Sequence, residues 1–550
     1  MKPLHPLRAV AALLLYSATA WLLLARTTAL TTHILGITPD PGAFIWCLGY
    51  LPWAIAHHQF SPVTHLVWQP YGVNLAWVTT VPLLGLVMAP ITIAAGPVLS
   101  YNLLTLAAPA LAGWAAYFLC LELCELPLAA LFGGFLFAFS SYEAAQSLDH
   151  LNLDFIALFP LILLVALRRV RGRTGRGGTA LWLGLLLGGE CLISEELLAT
   201  FCLFSGIAFL LVYAVEPVRR PILRALALDI ACAVPLALLL AAPLLWAMTQ
   251  GVHEIAHPRN WVQSLSIDAL NFLLPTATSW FGGQYFAPIT RYFGDWQDEQ
   301  TGYLGLPVLL LLGVILTNTQ LRRRLWLPLA MLGVVLLAAM GPVFHAAGRV
   351  YPLILPWALI AHLPLLGAAL PSRCMVYAFL LLGIILSLWL RECPTPGRLL
   401  VAGCICLSLL PQPHPAPLSP SAQFFRPGRV QQVLGPNPRL LILPFGYSGP
   451  SSFWQAESGF SFTQVGGYLG YPPAWAQNDP AVMPLFASKP DSSLAPDLAR
   501  LSQLRGVQYV VAGPGTPPED TAALASLGWS AQKIDDVTIY TVPPPSARTP

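Results

Sequence analysis

The sequence predicts an all-α polytopic membrane domain followed by a small C-terminal α/β domain. Three observations predict it. The first is composition. Of 550 residues, 56% are hydrophobic and only 10% charged, against roughly 25% charged in an ordinary soluble chain. Mean hydropathy is +0.66. So few polar groups cannot cover a water-soluble globule, which excludes a soluble enzyme, a nucleic-acid binder and a disordered chain. The second is the alternation, up to Leu410, of apolar runs with short loops that carry arginine clusters. The third is a change of character at Pro411–Pro420, a stiff proline-rich stretch. It marks a membrane part over 1–411, a linker over 412–425 and an external domain over 426–550.

The membrane part is threaded by charge, because cytoplasmic loops collect Lys and Arg. The clusters are Arg168/Arg169/Arg171/Arg173/Arg176, Arg219/Arg220/Arg224, Arg322/Arg323/Arg324 and Arg391/Arg398. All are placed inside with Lys2 and Arg8, giving a multi-pass protein of the plasma (inner) membrane with a cytoplasmic N-terminus. Ala9–Leu30 is the first crossing; its apolar run is long and no small-x-small cleavage site follows. Between the first external loop and Arg168 the crossings must be odd in number, yet four apolar runs fit: 78–96, 98–121, 126–140 and 153–168. Segment 78–96 holds Pro82, Gly85, Pro90 and Gly96, so it is expected to be re-entrant or to lie on the surface. Later crossings fall near 179–195, 198–215, 226–248, 303–317, 374–390 and 399–411, with one more between the Arg322 cluster inside and 345–373 outside. The total is about eleven, and the C-terminal domain is external. In that domain Leu440–Pro444 and Val507–Ala512 read as buried strands, Asp520–Leu527 as a helix and Val537–Val542 as a closing strand. All ten cysteines precede residue 407 without zinc-type spacing, as expected of buried free thiols.

Chemistry gathers on the predicted external face. The first loop holds His33, Asp40, His57, His58, His65 and Asn74, and its aromatic segment Pro41–His58 has the pattern of an interfacial helix. The second holds Asp149, His150, Asn152 and Asp154. Glu190, Glu195 and Glu196 tip the third; Arg259, Arg291, Asp295, Asp298 and Glu299 lie on the fourth; His345, Arg349, His362 and Arg373 lie on the fifth. Ionisable groups at helix ends are costly against lipid, so a shared polar cavity is expected.

Several stretches, in their order along the chain, carry a resemblance. They are Thr38-Pro-Asp40-Pro-Gly-Ala-Phe-Ile-Trp46, His150-Leu-Asn152-Leu, Glu299-Gln-Thr-Gly-Tyr303-Leu-Gly-Leu-Pro and Leu370-Pro-Ser-Arg373. With the large first loop that carries an Asp near its start, the acidic second loop and the external C-terminal domain, the membrane part resembles the GT-C superfamily. These are integral-membrane glycosyltransferases that use polyprenyl-phosphate-linked sugars. Gly466-Gly-Tyr468-Leu-Gly470 is also similar to this group, without an assignable role. The resemblance implies inverting transfer from a polyprenyl-phosphate donor to a lipid-linked glycan, polysaccharide or protein at the external face. An acceptor hydroxyl loses a proton as it attacks the anomeric carbon, so a base is needed; Asp40 matches the family's first-loop acid. Many members carry two acids there, and this chain has one between two prolines, which puts divalent-metal use in doubt. The lipid phosphate leaving group calls for a cation. Arg373 is the first candidate, as a guanidinium fork, with Arg291 and Arg259 after it. Asp149, His150, Asn152, Asp154, His57, His58, Glu195, Glu196 and Tyr303 are candidates for binding sugar or acceptor.

Three other readings compete. A transporter or flippase of lipid-linked sugars would need polar residues through the membrane depth, and here they cluster on one face. A non-catalytic glycan-binding scaffold would use the outer domain, where Trp454, Gln455 and Tyr468 either bind sugar or pack. His253-Glu254-Ile-Ala-His257 matches the H-E-x-x-H zinc-protease signature. Gly251 and Pro258 leave that motif little helix to hold two imidazoles on one face.

Overall fold

The computed structural model describes residues 6–544 except 27, 38, 252–259, 295, 364–365, 414–417 and 488–493. The chain forms two compact units. The first comprises residues 1–28, 103–241 and 258–416, the second 29–102, 242–257 and 417–550. Residues 29–102 therefore belong with the C-terminal residues.

The first unit is helical. Among the described residues of the whole chain, seven helices are long and apolar enough to cross a membrane, from Pro6–Ala25 to Pro371–Glu392. Leu306–Thr317, Trp326–Ala339 and Pro396–Ser408 are shorter apolar helices of this unit. The core is built where Pro127–Ala138 crosses Met375–Glu392. A Cβ on Gly133 would stand 2.1 Å from Ser387 Oγ, and one on Gly383 would stand 2.6 Å from the Gly133 carbonyl oxygen. Only glycine lets these backbones approach so closely, as packing between apolar helices demands when no water drives association. Ser387 Oγ donates to the Ala129 carbonyl across the same crossing (3.0 Å).

The arginine clusters bring their own acids. Arg168, Arg171 and Arg173 converge on the buried Glu122, and Arg169 and Arg176 on the buried Asp229. Arg168 and Arg169 also close the last turn of the helix Leu158–Val170, where the helix dipole favours cations.

The second unit holds a five-stranded sheet. Its strand order is Thr463–Gln464, Arg439–Leu443, Tyr509–Ala512, Val537–Thr541, Ser530–Ile534. The first three pair in parallel, and Val537–Thr541 is antiparallel to both of its neighbours. Leu440–Leu443 is a fully apolar run because the central strand is covered on both faces. Ser530–Ile534 gave no sequence signal. It is an exposed edge strand of Ser-Ala-Gln-Lys-Ile, with Lys533 of the kind that discourages edge pairing. Asp535 turns the hairpin at φ +53°, and the neighbouring Asp536 carboxylate accepts from the backbone N–H groups of Gln423 and Phe424.

Two helices of the first loop complete this unit. Asp40–Ala56 has Pro41 in its first turn, where a missing N–H costs nothing. Segment 78–96 is a helix at Pro82–Ala95. It buries Leu84, Gly85, Met88 and Thr92, with Gly85 set against Leu51 and Leu48 of Asp40–Ala56. Its other face presents Leu86, Val87 and Ile93, all more than 60% exposed, as a lipid-contacting helix does.

Candidate active site

In the second unit the site is built around Asp40. The start of the loop is pinned by Asn102. Its amide donates to the carbonyls of Leu30 and His33 (2.7 Å each) and accepts from the N–H of Leu35 (3.0 Å). Asp40 then opens its helix, where the positive end of the dipole favours a carboxylate. The phenol of Tyr468 donates to Asp40 Oδ1 at 2.5 Å.

The helix is tied to the C-terminal residues by buried polar contacts. Trp46 Nε1 donates to Gln455 Oε1 (2.8 Å), and Gln455 Nε2 donates to the carbonyls of Leu66 and Phe462. Trp454 stacks on Phe425 with ring centres 4.7 Å apart and donates to the Pro420 carbonyl. Of the three residues left open between sugar binding and packing, Trp454 and Gln455 pack, and Tyr468 reaches the acid. His57 and His58 lie elsewhere. They follow the far end of the 17-residue helix, about 25 Å from Asp40 at 1.5 Å per residue. His57 stacks on Trp53 (4.7 Å) and meets its carbonyl, and both histidines are exposed. The structure does not bring them to the acid.

In the first unit a second cluster forms around Arg373. Its Nε and Nη2 donate to Glu299 Oε1 (2.9 and 2.6 Å), and its Nη1 donates to Glu196 Oε2. Ser372 Oγ donates to Glu299 Oε2 (2.7 Å), and the N–H of Leu370 donates to Glu196 Oε1 (2.8 Å). Burial would raise the Glu299 carboxyl, but Arg373, His150 and the hydrogen bonds from Arg373 and Ser372 outweigh it and hold it below the usual range. The expected fork open to a phosphate is therefore corrected: two carboxylates occupy it, and together they outweigh its charge. Glu299 was legible only as a polar loop residue, because nothing in Asp298-Glu299-Gln300 signals that its partner lies 74 positions later.

His150 Nδ1 lies 3.0 Å from Gln146 Oε1 and 3.4 Å from Asp298 Oδ2, and Gln146 Nε2 donates to the Asp298 carbonyl (2.9 Å). Asp149 is fully buried, and Asp154 is buried beside Glu143; Asn152 is half-buried. Tyr303 is buried, and its carbonyl accepts from Ser141 Oγ (2.6 Å). Glu195 is exposed beside Glu196 in the first turn of its helix. Arg291 is exposed, its guanidinium 4.8 Å from the ring centre of Tyr292. Arg259 and the His253/Glu254/His257 motif lie outside the described residues. Among the described residues, no group of three His, Cys, Asp or Glu side chains is placed to hold a metal ion.

A family model described as "Domain of unknown function (DUF6311)" matches residues 9–410. The chain belongs to this family. No curated protein sequence matches it. Among solved structures, the arabinofuranosyltransferase AftD from Mycobacteria superposes with a TM-score of 0.60 at 13% identity, over 98% of this chain and 40% of that one. The present chain thus spans less than half the length of that relative. The Archaeoglobus fulgidus oligosaccharyltransferase superposes with a TM-score of 0.50 at 12% identity, over 94% of this chain and 71% of that one. This DUF6311 chain therefore shares the fold of these two structures, and with its apolar helices it is a multi-pass membrane protein.

Proposed function

We propose that this DUF6311 protein is a membrane glycosyltransferase. It moves a sugar from a polyprenyl-phosphate donor to a glycan, lipid or protein acceptor at the external membrane face. Its chain crosses about eleven times, with the arginine clusters cytoplasmic. The observation that carries the reading is Asp40, an acid at a helix N-terminus held by a tyrosine phenol, within a GT-C fold. Asp40 takes the proton of the acceptor hydroxyl as that oxygen attacks the anomeric carbon. The bond from that carbon to the phosphate oxygen breaks, and polyprenyl phosphate leaves with the electron pair. Attack opposite the leaving group inverts the anomeric centre. Arg291 is the cation we assign to the phosphate, since Arg373 is engaged by Glu196 and Glu299. We assign Asp149, His150 and Asp154 to sugar or acceptor contacts.

The test uses the full chain in lipid nanodiscs. With a membrane extract supplying lipid, glycan and protein acceptors, it is offered polyprenyl-phosphate-linked arabinofuranose, mannose, glucose and galactose, and release of polyprenyl phosphate is followed. Release from one donor, lowered about 10²- to 10⁴-fold in Asp40→Asn, is the expected result. No release from any of the four, or equal release by Asp40→Asn, overturns the reading.

A further inference from the structure

Gly466-Gly467-Tyr468-Leu469-Gly470 stands out in the sequence without a role, and the structure gives it one. The turn can be made only by glycine at several points. Gly467 and Gly470 sit at φ +113° and +106°, where side chains are strained. A Cβ on Gly466 would stand 2.3 Å from the Phe445 ring. The turn is also tied down. The Gly466 carbonyl accepts from the N–H of Trp68 (2.9 Å). One buried hydroxyl, that of Ser452, holds both backbone groups of Tyr468, accepting from its N–H (2.9 Å) and donating to its carbonyl (2.7 Å). The ring is packed between Tyr447 and Phe486, with centres 5.5 and 6.1 Å away. With backbone and ring both fixed, the phenol has one direction, and it meets Asp40 Oδ1.

We propose that Tyr468 is a positioning residue for the Asp40 carboxylate, delivered by the glycine turn 466–470. This rests on the reading of Asp40 as base. A carboxylate at a helix start can rotate about its side-chain bonds. A rigid donor on Oδ1 restrains that rotation while the carboxylate takes the acceptor proton. Transfer to an acceptor needs such orientation at the moment of attack, when small misplacements are expensive. Merely burying a tyrosine also calls for an acceptor for its hydroxyl, and the two roles predict different kinetics.

Tyr468→Phe removes one oxygen and keeps the ring. With the donor that the four-sugar panel identifies, positioning predicts a fall in kcat of about 10- to 100-fold, as for a hydrogen bond to a charged group, with the donor KM unchanged. On the residual turnover of Asp40→Asn, Tyr468→Phe should cost nothing further, because the two act as one unit. Ser452→Ala, which frees the Tyr468 backbone, should reproduce a smaller kcat loss. Wild-type kcat in Tyr468→Phe while Asp40→Asn is inactive overturns the positioning role and leaves the transferase standing. An additional loss in the Asp40→Asn background overturns it too. An active Asp40→Asn removes the base, and the positioning role with it.

Discussion

The acids at Arg373 and at Tyr468 are held in opposite ways. In the first unit several carboxylates are matched by cations: Glu299 and Glu196 by Arg373, Glu122 by three arginines, Asp229 by two. In the second, Asp40 is met at Oδ1 by a neutral phenol. A cation stabilises the charged carboxylate strongly and weakens it as a proton acceptor; a phenol holds the group in place while leaving its negative charge unmatched at that contact. The difference separates acids that brace a helical membrane body from an acid suited to take a proton. A one-letter sequence does not separate them, since Asp40 and Glu299 both read as carboxylates in external loops.

The largest effect that could break this contrast is on Asp40. Asp40→Asn should lower turnover by about 10²- to 10⁴-fold, the usual contribution of a general base, with unchanged expression and melting temperature. A variant that loses its fold instead would place Asp40 among the bracing acids. Glu299→Ala should do the reverse. It leaves the buried Arg373 with one carboxylate fewer, and breaking such a pair costs about 3–5 kcal/mol. The expected readout is a large drop in melting temperature in detergent. Glu299→Gln, which keeps a hydrogen-bond acceptor, should fall between. A stable Glu299→Ala that is inactive would move this cluster into the reaction.

Acid sharpens the same point. The folded Glu299 carboxyl is held below its ordinary value of 4.5. Its stabilising contribution is therefore fully present above about pH 4.5 and is lost as pH falls through the lower, folded value. Melting curves from pH 7 downward should show a steeper acid decline for wild type than for Glu299→Gln. Equal slopes would mean that the Arg373 pair contributes nothing to stability.

A milder change is expected at Arg291. Exposed beside Tyr292 and not enclosed by acids as Arg373 is, it should act on the donor phosphate through charge. Arg291→Ala should raise the donor KM by roughly 10-fold, the loss of one charge-assisted contact. An unchanged KM removes it from the donor site.

How much of this was legible follows from the range of each signal. Local pattern was enough for the helix opened by Pro39-Asp40-Pro41, the amphipathic first loop, the buried strands at 439–443 and 509–512, and the helix at 518–526. Each is fixed by residues a few positions apart. Partnership was not legible. Asp40 meets a tyrosine 428 positions on, and Arg373 meets glutamates 177 and 74 positions before it. No periodicity encodes such pairs, so Arg373 read as a cation open to phosphate and Tyr468 as an unassigned motif residue. The joining of 29–102 with the C-terminal residues escaped for the same reason, since composition shows a boundary near Pro411 and is silent about which distant loop shares a core. The edge strand 530–534 was missed because its side chains face water and alternate nothing.

The smallest effect tests whether an acid of the second unit is disfavoured when it has no bracing partner and no function. Asp520 lies in the first turn of Pro518–Ser526. Burial, with Glu519 beside it, pushes its carboxyl from 3.8 up to about 6. A raised acid binds its proton more tightly in the fold than in the unfolded chain. The stability it contributes is therefore present below about pH 4 and lost as pH rises through about 6. Asp520→Asn removes the charge that burial disfavours, so its gain should appear only where wild type is ionised. A rise of a few degrees in melting temperature at pH 8, shrinking to nothing at pH 4, is expected. A loss at pH 8 would mean that the ionised Asp520 is favoured by its helix start more than burial disfavours it. Burial alone would then not decide how a carboxylate of this unit fares.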